Sequence, residues 1–263
     1  MQITREVANQ IFWVGGNDNR LQRFENMFEL PQGVAYNSYL IVDEKTVLLD
    51  TVDRAISGQH LDNIRGVLNG RPLDYLIVNH IEPDHCANIE TLLHLYPEIT
   101  VVGIKKTFNF FNQYYASDIS KNAMVVKEGE TLNIGKHTLK FYMAPMVHWP
   151  EVMFTFEETQ GILFSADAFG SFGLLRGNLF ADEVDWESLF LDETRRYYVN
   201  IVGRHGSQVQ AIFRRLPLDQ IKMIFPLHGP LWREDLGKII DLYNKWSTYT
   251  PEKEGVVLVY ASM

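Results

Sequence analysis

The sequence predicts a mixed α/β (α+β) protein in which two regions of alternating strands and helices enclose a block of hairpin-connected strands. Between residues 74 and 115, predicted strands and helices alternate, and this order predicts parallel strands covered by helices. Between residues 123 and 166, five short segments alternate in the manner of strands. A second helix-rich region follows residue 185 and contains one further apolar strand.

The elements of the first region are predicted from composition and periodicity. Apolar Leu61, Ile64 and Leu68 lie at helical spacing, whereas β-branched and aromatic runs predict strands. The polar and aromatic connection at 17–32 is long enough to be a functional loop. In order, the predicted elements are strands 10–15 and 36–50 (divided by a turn at 43–45), helix 59–68, strand 74–79, helix 86–96, strand 99–103 and helix 105–115.

The later elements are separated by turn signals. Gly135-Lys136 and Thr159-Gln160-Gly161 predict hairpin turns, and the segment 170–177 is rich in glycine. The predicted elements are strands 123–127, 131–134, 138–144, 152–157 and 161–166, helices 185–203 and 207–215, strand 221–225 and helix 234–246.

The last nine residues, 255–263, differ from the rest of the chain and bear on the domain organisation. Residues 255–263 resemble a strand followed by small residues, which is how a nucleotide-binding α/β domain usually begins. A simple terminal edge strand is the alternative. We therefore expect a main domain at 1–254 and a distinct C-terminal strand at 255–263.

Composition excludes several classes of function. The chain has 263 residues, 46% of them hydrophobic, and a net charge of −9, which argues against nucleic acid and anionic membranes as partners. No apolar run approaches the roughly 20 residues of a membrane span, and the N-terminus has no signal-peptide pattern. A single cysteine, Cys86, fits a reducing compartment. We therefore expect a cytoplasmic protein.

The segment Asn79–His85 carries the main chemical signal. It holds two imidazoles, His80 and His85, and two carboxylates, Glu82 and Asp84, directly after an apolar strand. Imidazole and carboxylate are preferred ligands of divalent first-row metals, and neighbouring carboxylates repel unless a cation or proton lies between them. A metal site is therefore predicted, with a polar loop in which Asp84 caps a helix as the simpler alternative.

Three later strands also end on potential ligands, namely His148, Asp167 and His228. Because the ends of several strands can meet at one cleft, we expect these side chains to join the first segment. Cys86 could also be a ligand, although a small packed side chain is the favoured interpretation. We interpret the remaining histidines as surface or loop residues: His60, His94, His137 and His205.

The pattern His-x-Glu-x-Asp-His at 80–85, with His148, Asp167 and His228, resembles the flavodiiron proteins. Supporting segments are Tyr36-Asn-Ser-Tyr-Leu40, His148-Trp-Pro150, Asp167-Ala-Phe-Gly170 and His228-Gly-Pro-Leu-Trp-Arg233. The resemblance runs from about residue 10 to the C-terminus. It implies a metallo-β-lactamase-like fold, which is an αβ/βα four-layer sandwich.

The resemblance also implies two iron ions. His80, Glu82 and His148 would hold one ion, Asp84, His85 and His228 would hold the other, and Asp167 would bridge them. Hydrolases with this fold usually have a second histidine where this chain has Glu82, and the extra oxygen favours iron over zinc. Two Fe(II), three carboxylates and one bridging hydroxide or oxo group nearly balance in charge, which lowers the cost of burial.

Members of this family carry a flavodoxin-like domain whose FMN feeds electrons to the iron of a partner subunit. Here the sequence stops near the start of such a domain, so it is either a shortened form of a longer chain or a chain without the flavin domain. On that basis we expect no FMN on this chain. We also expect O2 to bind at a diferrous site as a peroxo-diferric species, for oxygen binding or sensing.

Two other functions remain open. The first is an O2 or NO reductase domain that receives electrons from a separate flavoprotein or rubredoxin. A sensor would instead have a signalling protein as its partner. The second is a binuclear zinc hydrolase. The resemblance also implies a homodimer, because the family forms head-to-tail dimers. Glu25 and Tyr197 fall where the family lines its substrate pocket, and Trp149 is favoured as a packing wall rather than a redox relay.

Overall fold

The computed structural model describes residues 3–256 and 259. Within these residues the chain forms sixteen strands and eight α-helices. The strands are β1 (Arg5–Ala8), β2 (Ile11–Trp13), β3 (Gly16–Asp18), β4 (Arg23–Phe24), β5 (Phe28–Glu29), β6 (Val34–Tyr36), β7 (Tyr39–Val42), β8 (Thr46–Leu49), β9 (Tyr75–Ile77), β10 (Thr100–Gly103), β11 (Ala123–Val125), β12 (Thr131–Asn133), β13 (Thr138–Met143), β14 (Met153–Glu157), β15 (Ile162–Phe164) and β16 (Met223–Phe225). The helices are α1 (Ser57–Leu68), α2 (Pro83–Cys86), α3 (Ile89–Leu95), α4 (Lys105–Tyr114), α5 (Trp186–Leu189), α6 (Leu191–Tyr197), α7 (Gly206–Phe213) and α8 (Leu236–Ser247).

Each strand and helix predicted between residues 10 and 247 falls on an observed element. The helix predicted at 86–96 is divided, because α2 begins earlier, at Pro83, and α3 begins at Ile89. The helix predicted at 185–203 is also divided, and it ends in a π-helical turn at Tyr198–Val202. The strand predicted at 255–263 lies mainly outside the described residues, so it stays a prediction.

The first sheet has seven strands in the order β1-β2-β7-β8-β9-β10-β11. Its strands β8 to β11 run parallel, whereas β1, β2 and β7 pair antiparallel. This confirms the prediction for β9 and β10. The assignment of the strand at 123–127 to the hairpin-connected block is wrong, because β11 pairs with β10 and not with β12. Alternate side chains point to opposite faces of a strand. Leu40 and Leu48 therefore pack against helices α1, α3 and α4, whereas Ile41 and Leu49 belong to the core that includes the second sheet.

The second sheet has five strands in the order β12-β13-β14-β15-β16, and both predicted hairpin turns are confirmed. Phe164 and Phe225 lie with their ring centroids 5.3 and 5.2 Å from that of Tyr39 in the first sheet. Leu163 and Ile224, on the opposite face, are buried in a core that also contains side chains of α7 and α8. The layers are therefore helices, sheet, sheet and helices, as the predicted sandwich requires.

Among the described helices, none combines the length and the apolar character that crossing a membrane requires. The two sheets instead bring several strand ends to one edge of the sandwich. The loops after β9, β13, β15 and β16 all carry predicted metal ligands.

Candidate metal centre

The structure brings the seven predicted ligands together in two groups. Within each group, one potential ligand atom per residue lies within 4.8 Å of all the others. The first group is His80, Glu82, His148 and Asp167, and the second is Asp84, His85 and His228. Asp84 is the second residue of α2, and the N-cap of this helix is Glu82. The alternative in which Asp84 caps the helix is therefore wrong.

Asp167 lies between the two groups and offers one carboxylate oxygen to each. Its Oδ2 is 3.0 Å from His148 Nε2 in the first group. Its Oδ1 is 3.3 Å from His85 Nε2 in the second group. A carboxylate in this position can bridge two cations.

The remaining ligand atoms are equally close. Glu82 Oε2 lies 3.0 Å from His80 Nε2 and 3.1 Å from His148 Nε2. In the second group, His85 Nε2 lies 3.0 Å from His228 Nε2, and Asp84 Oδ2 lies 3.3 and 3.4 Å from these two nitrogens. Each group thus offers two imidazoles and one carboxylate of its own, plus a share of Asp167.

The hydrogen bonding of the carboxylates tests whether cations fit this site. Both carboxylate oxygens of Asp84 and the Oδ1 of Asp167 are buried without a hydrogen-bond partner among the described residues. A buried charge without a partner is costly, and paired charges or metal coordination remove that cost. Nitrogen and oxygen donors of this kind suit iron, zinc and other first-row divalent ions. The side chains therefore fit two divalent cations.

The charges within the site shift several pKa values. Burial lowers the pKa of His148, but hydrogen bonds to Asp167 and Glu82 outweigh burial and raise it to about 9. Burial raises the pKa of Asp167, but the charge of His85 and the hydrogen bond to His148 bring it well below its usual range. Metal ligands must be deprotonated, so metal binding at this site is expected to release protons.

Two of the histidines are oriented by contacts on the far side of the ring. His80 Nδ1 donates to Glu151 Oε1 at 2.7 Å, and His228 Nδ1 donates to the carbonyl oxygen of Ala35 at 2.9 Å. In both rings Nε2 consequently faces the ligand group. Glu151 was not predicted from the sequence, although a carboxylate three residues after the candidate ligand His148 was a usable signal.

Asp50 is a second residue that the sequence analysis missed. Its carboxylate accepts hydrogen bonds from the backbone N–H of Asn79 at 2.8 Å and of His80 at 3.1 Å, and from Asn79 Nδ2 at 2.8 Å. Burial raises its pKa to about 6. Asp50 follows the apolar strand β8 as the ligands follow theirs, so the same pattern could have identified it.

The predicted pocket residue Tyr197 lies beside the second group. It is fully buried, and its ring centroid is 5.5 Å from that of His228. Phe24 and Tyr36 contact the same imidazole, with centroid distances of 5.3 and 5.5 Å. Three aromatic rings therefore enclose His228, and the Tyr197 hydroxyl has no partner among the described residues.

Glu25 lies at the entrance of the site. It lines a cavity of about 270 Å³ together with Tyr36, Glu82 and Asp84, and a second cavity of about 220 Å³ together with His148. Burial, the hydrogen bond to Glu82 and the Glu82 charge raise the pKa of Glu25 to about 7. Glu25 is thus the carboxyl group between the solvent-facing cavities and the first ligand group.

Trp149 packs against the first group from outside, its ring centroid 5.4 Å from that of His80 in an edge-on arrangement. This geometry agrees with the favoured interpretation of a packing wall. Cys86 belongs to neither ligand group of the described residues. Its thiol is buried 3.3 Å from the Tyr115 hydroxyl, as the packed-side-chain interpretation requires.

The interpretation of the other histidines as surface or loop residues was wrong for His60, whereas His137 lies in its hairpin loop as predicted but is buried there. His60 is buried, because its face of α1 turns inward, and its ring contacts Ser38 Oγ at 3.0 Å. Burial lowers its pKa to about 3, so the ring is neutral. His137 is buried beside its hairpin, where Nδ1 contacts Asp43 at 2.7 Å. His94 is exposed and His205 is half-buried, as expected.

Comparisons with known proteins agree with this architecture. Residues 34–229 match the profile of the family described as ODP family beta lactamase. The nitric oxide reductase of Moorella thermoacetica is 34% identical over 254 residues, which are 95% of this chain and 63% of that protein. The anaerobic nitric oxide reductase flavorubredoxin of Escherichia coli is 35% identical over 264 residues, which are 98% of this chain and 54% of that protein. The chain thus spans between half and two thirds of these relatives.

Solved structures show the same fold. The flavodiiron protein from Giardia intestinalis matches with a TM-score of 0.89 and 30% identity, over 95% of this chain and 60% of that chain. The rubredoxin oxygen:oxidoreductase from Desulfovibrio gigas matches with a TM-score of 0.87 and 28% identity, over 94% of this chain and 62% of that chain. The chain therefore belongs to the ODP family of β-lactamase-like proteins and has the metallo-β-lactamase-like fold that it shares with the flavodiiron proteins.

Proposed function

We propose that the two ligand groups hold two iron ions and that this centre reduces O2 or NO. The observation that carries the proposal is Asp167, which offers one oxygen to each group and so defines a paired site. In the first group, the carboxylate of Glu82 stands where hydrolases with this fold usually have a histidine, and this extra oxygen ligand favours iron over zinc. The names of the relatives, nitric oxide reductase and rubredoxin oxygen:oxidoreductase, support reduction of NO or O2.

Oxygen sensing was expected only from the point at which the sequence stops, and no feature of the site favours it. Reduction needs an electron donor, and we propose a flavin or a rubredoxin, in keeping with the named relatives. When bound, the iron ions supply the redox chemistry. A homodimer and a cytoplasmic location remain predictions.

The side chains of this chain contribute positioning and exclusion of water. Phe24, Tyr36 and Tyr197 surround His228 and keep that side of the site apolar. Glu25 stands where the cavities meet Glu82, so it is placed to hold a proton that reduction consumes.

The proposal is tested by reconstitution without oxygen. We expect protein supplied with Fe(II) to bind two irons per chain and, with a reduced flavoprotein and rubredoxin as donors, to consume O2 or NO continuously. A protein that binds two irons but takes up O2 only once would favour sensing. A protein that prefers zinc and hydrolyses esters or lactams, without consuming either gas, would contradict the proposal and favour the hydrolase.

Metal removal is expected to destabilise the fold. Without cations, the neighbouring carboxylates of Glu82, Asp84 and Asp167 repel each other. Each metal present at about 100 times its Kd adds about 2.7 kcal/mol to the free energy of unfolding. For a chain of this size, losing both metals should lower Tm by roughly 10 °C or more. Thermal unfolding with and without a chelator measures this change, and an unchanged Tm would contradict a metal site in these groups.

Glu25→Gln should slow reduction without loss of metal. Glutamine keeps the size and hydrogen bonding of the side chain but cannot release a proton, and general acids typically contribute about 100-fold or more to rate. We expect a lower kcat and unchanged iron content. Glu29→Gln, at a nearby exposed carboxylate outside both cavities, is the control. A rate equal to that of the wild type would exclude Glu25 as the proton source.

A further inference from the structure

The two ligand groups have the same composition, but the outer ring nitrogens of their histidines have different contacts. Each has two imidazoles and one carboxylate of its own, and they share Asp167. Among the described residues, His80 is the one ligand histidine whose outer ring nitrogen contacts a carboxylate, that of Glu151. On the other side, His228 contacts a neutral carbonyl oxygen, and His85 Nδ1 has no partner within the described part of the chain.

Glu151 is held rigidly for this contact. Its side chain is fully buried, just before strand β14. One oxygen, Oε1, accepts both from His80 Nδ1 at 2.7 Å and from the backbone N–H of Ile81 at 3.1 Å. The other oxygen is buried without a partner among the described residues. Such a carboxylate is costly to bury unless positive charge lies nearby.

We propose that Glu151 is a positioning residue that makes the two metal positions unequal, an inference that rests on the proposed function. A carboxylate that accepts from Nδ1 draws the N–H proton toward itself and leaves Nε2 a stronger donor. The ion held by His80, Glu82 and His148 is consequently bound more tightly than its neighbour and oxidised more easily. The first group would therefore fill first, and an iron ion held there would have the lower reduction potential of the two.

The test uses Co²⁺ as the only added metal, because its visible absorption reports each binding step without turnover. In the wild type we expect two separate steps in a titration of metal-free protein. Glu151→Gln keeps the shape and a carbonyl acceptor but removes the charge. In this variant the tighter step should weaken by about 10- to 100-fold and approach the weaker step, which stays unchanged.

The iron-loaded protein gives a second readout. Loss of the Glu151 charge should raise the potential at which the first iron is oxidised, and each tenfold change in relative stability corresponds to about 59 mV for one electron. Glu151→Asp keeps the charge, so the two Co²⁺ steps should stay apart in that variant. Merged steps in folded Glu151→Asp would count against the inference.

Glu157→Gln is the matched control. Glu157 is also a fully buried glutamate, six positions along the chain, but its oxygens accept from the backbone of Thr159 and Gln160 at the far hairpin. It should change stability and leave both Co²⁺ steps alone. Equal losses of Co²⁺ affinity in Glu151→Gln and Glu157→Gln, or two unchanged binding steps in Glu151→Gln, would overturn this inference but not the paired metal site. A wild type that binds fewer than two Co²⁺ would overturn the paired site itself.

Discussion

Asp167→Asn is expected to reduce the iron content to at most one per chain and to lower the rate of O2 or NO reduction by about 100-fold or more. Asparagine has the same shape as aspartate but is uncharged. Its amide nitrogen replaces one carboxylate oxygen and cannot bind a cation. Because Oδ1 and Oδ2 of Asp167 face different groups, one substitution weakens both metal positions. Metal analysis and gas consumption measure the two effects.

Asp43→Asn is the control for this prediction. Asp43 is also a buried aspartate that contacts a histidine, His137, but it lies at a hairpin outside both ligand groups. We expect the variant to be less stable and to retain two irons. If Asp167→Asn kept two irons and a rate within a few-fold of the wild type, Asp167 would not be a bridging ligand.

Gly229→Ala should be strongly destabilising, although Gly229 is not itself a candidate ligand. Gly229 follows His228 directly and has a φ of +73°, a conformation that costs a non-glycine residue free energy. An added Cβ would lie 2.6 Å from the Cβ of Ser171, and the backbone of Ser171 closes the space around it. Strain and overlap together should cost about 2–4 kcal/mol in the free energy of unfolding.

The effect of Gly229→Ala should extend to the metal. The carbonyl oxygen of Gly229 accepts from Asn37 Nδ2 at 2.9 Å, a contact that fixes the loop carrying His228. Iron content should therefore fall even in protein that remains folded. Gly237→Ala in α8 is the control, because nothing lies within 4 Å of its added Cβ and alanine favours the helix by about 0.5–1 kcal/mol. Equal stability of the two variants would contradict the argument.

The candidate ligands could be identified from the sequence because each lies next to a strong local signal. His148, Asp167 and His228 each follow an apolar strand, and the segment 79–85 places four ligand types within seven residues. The strands and helices were predictable for the same reason, since period-2 and helical patterns are local properties. The division of the helix at 86–96 was not predicted: α2 begins earlier, at Pro83, and α3 begins separately at Ile89.

The residues that support the site were largely unpredictable. Glu151 contacts His80, which is 71 positions away, and Asn37 reaches Gly229, which is 192 positions away. The burial of His60 and His137 could not be predicted either, because nothing in their local sequence indicates which part of the fold covers them. Contacts of this kind depend on how the two sheets pack.

By itself, the sequence determined the ligand types, their order and the strands that carry them, because these follow from neighbouring residues. The family resemblance implied a bridging Asp167, but only the tertiary structure placed its two oxygens toward the two groups and a carboxylate behind one imidazole of the first group. The physical reason is that a ligand's chemistry is set by its own side chain. Its charge environment, by contrast, is set by distant residues that burial brings within hydrogen-bonding distance.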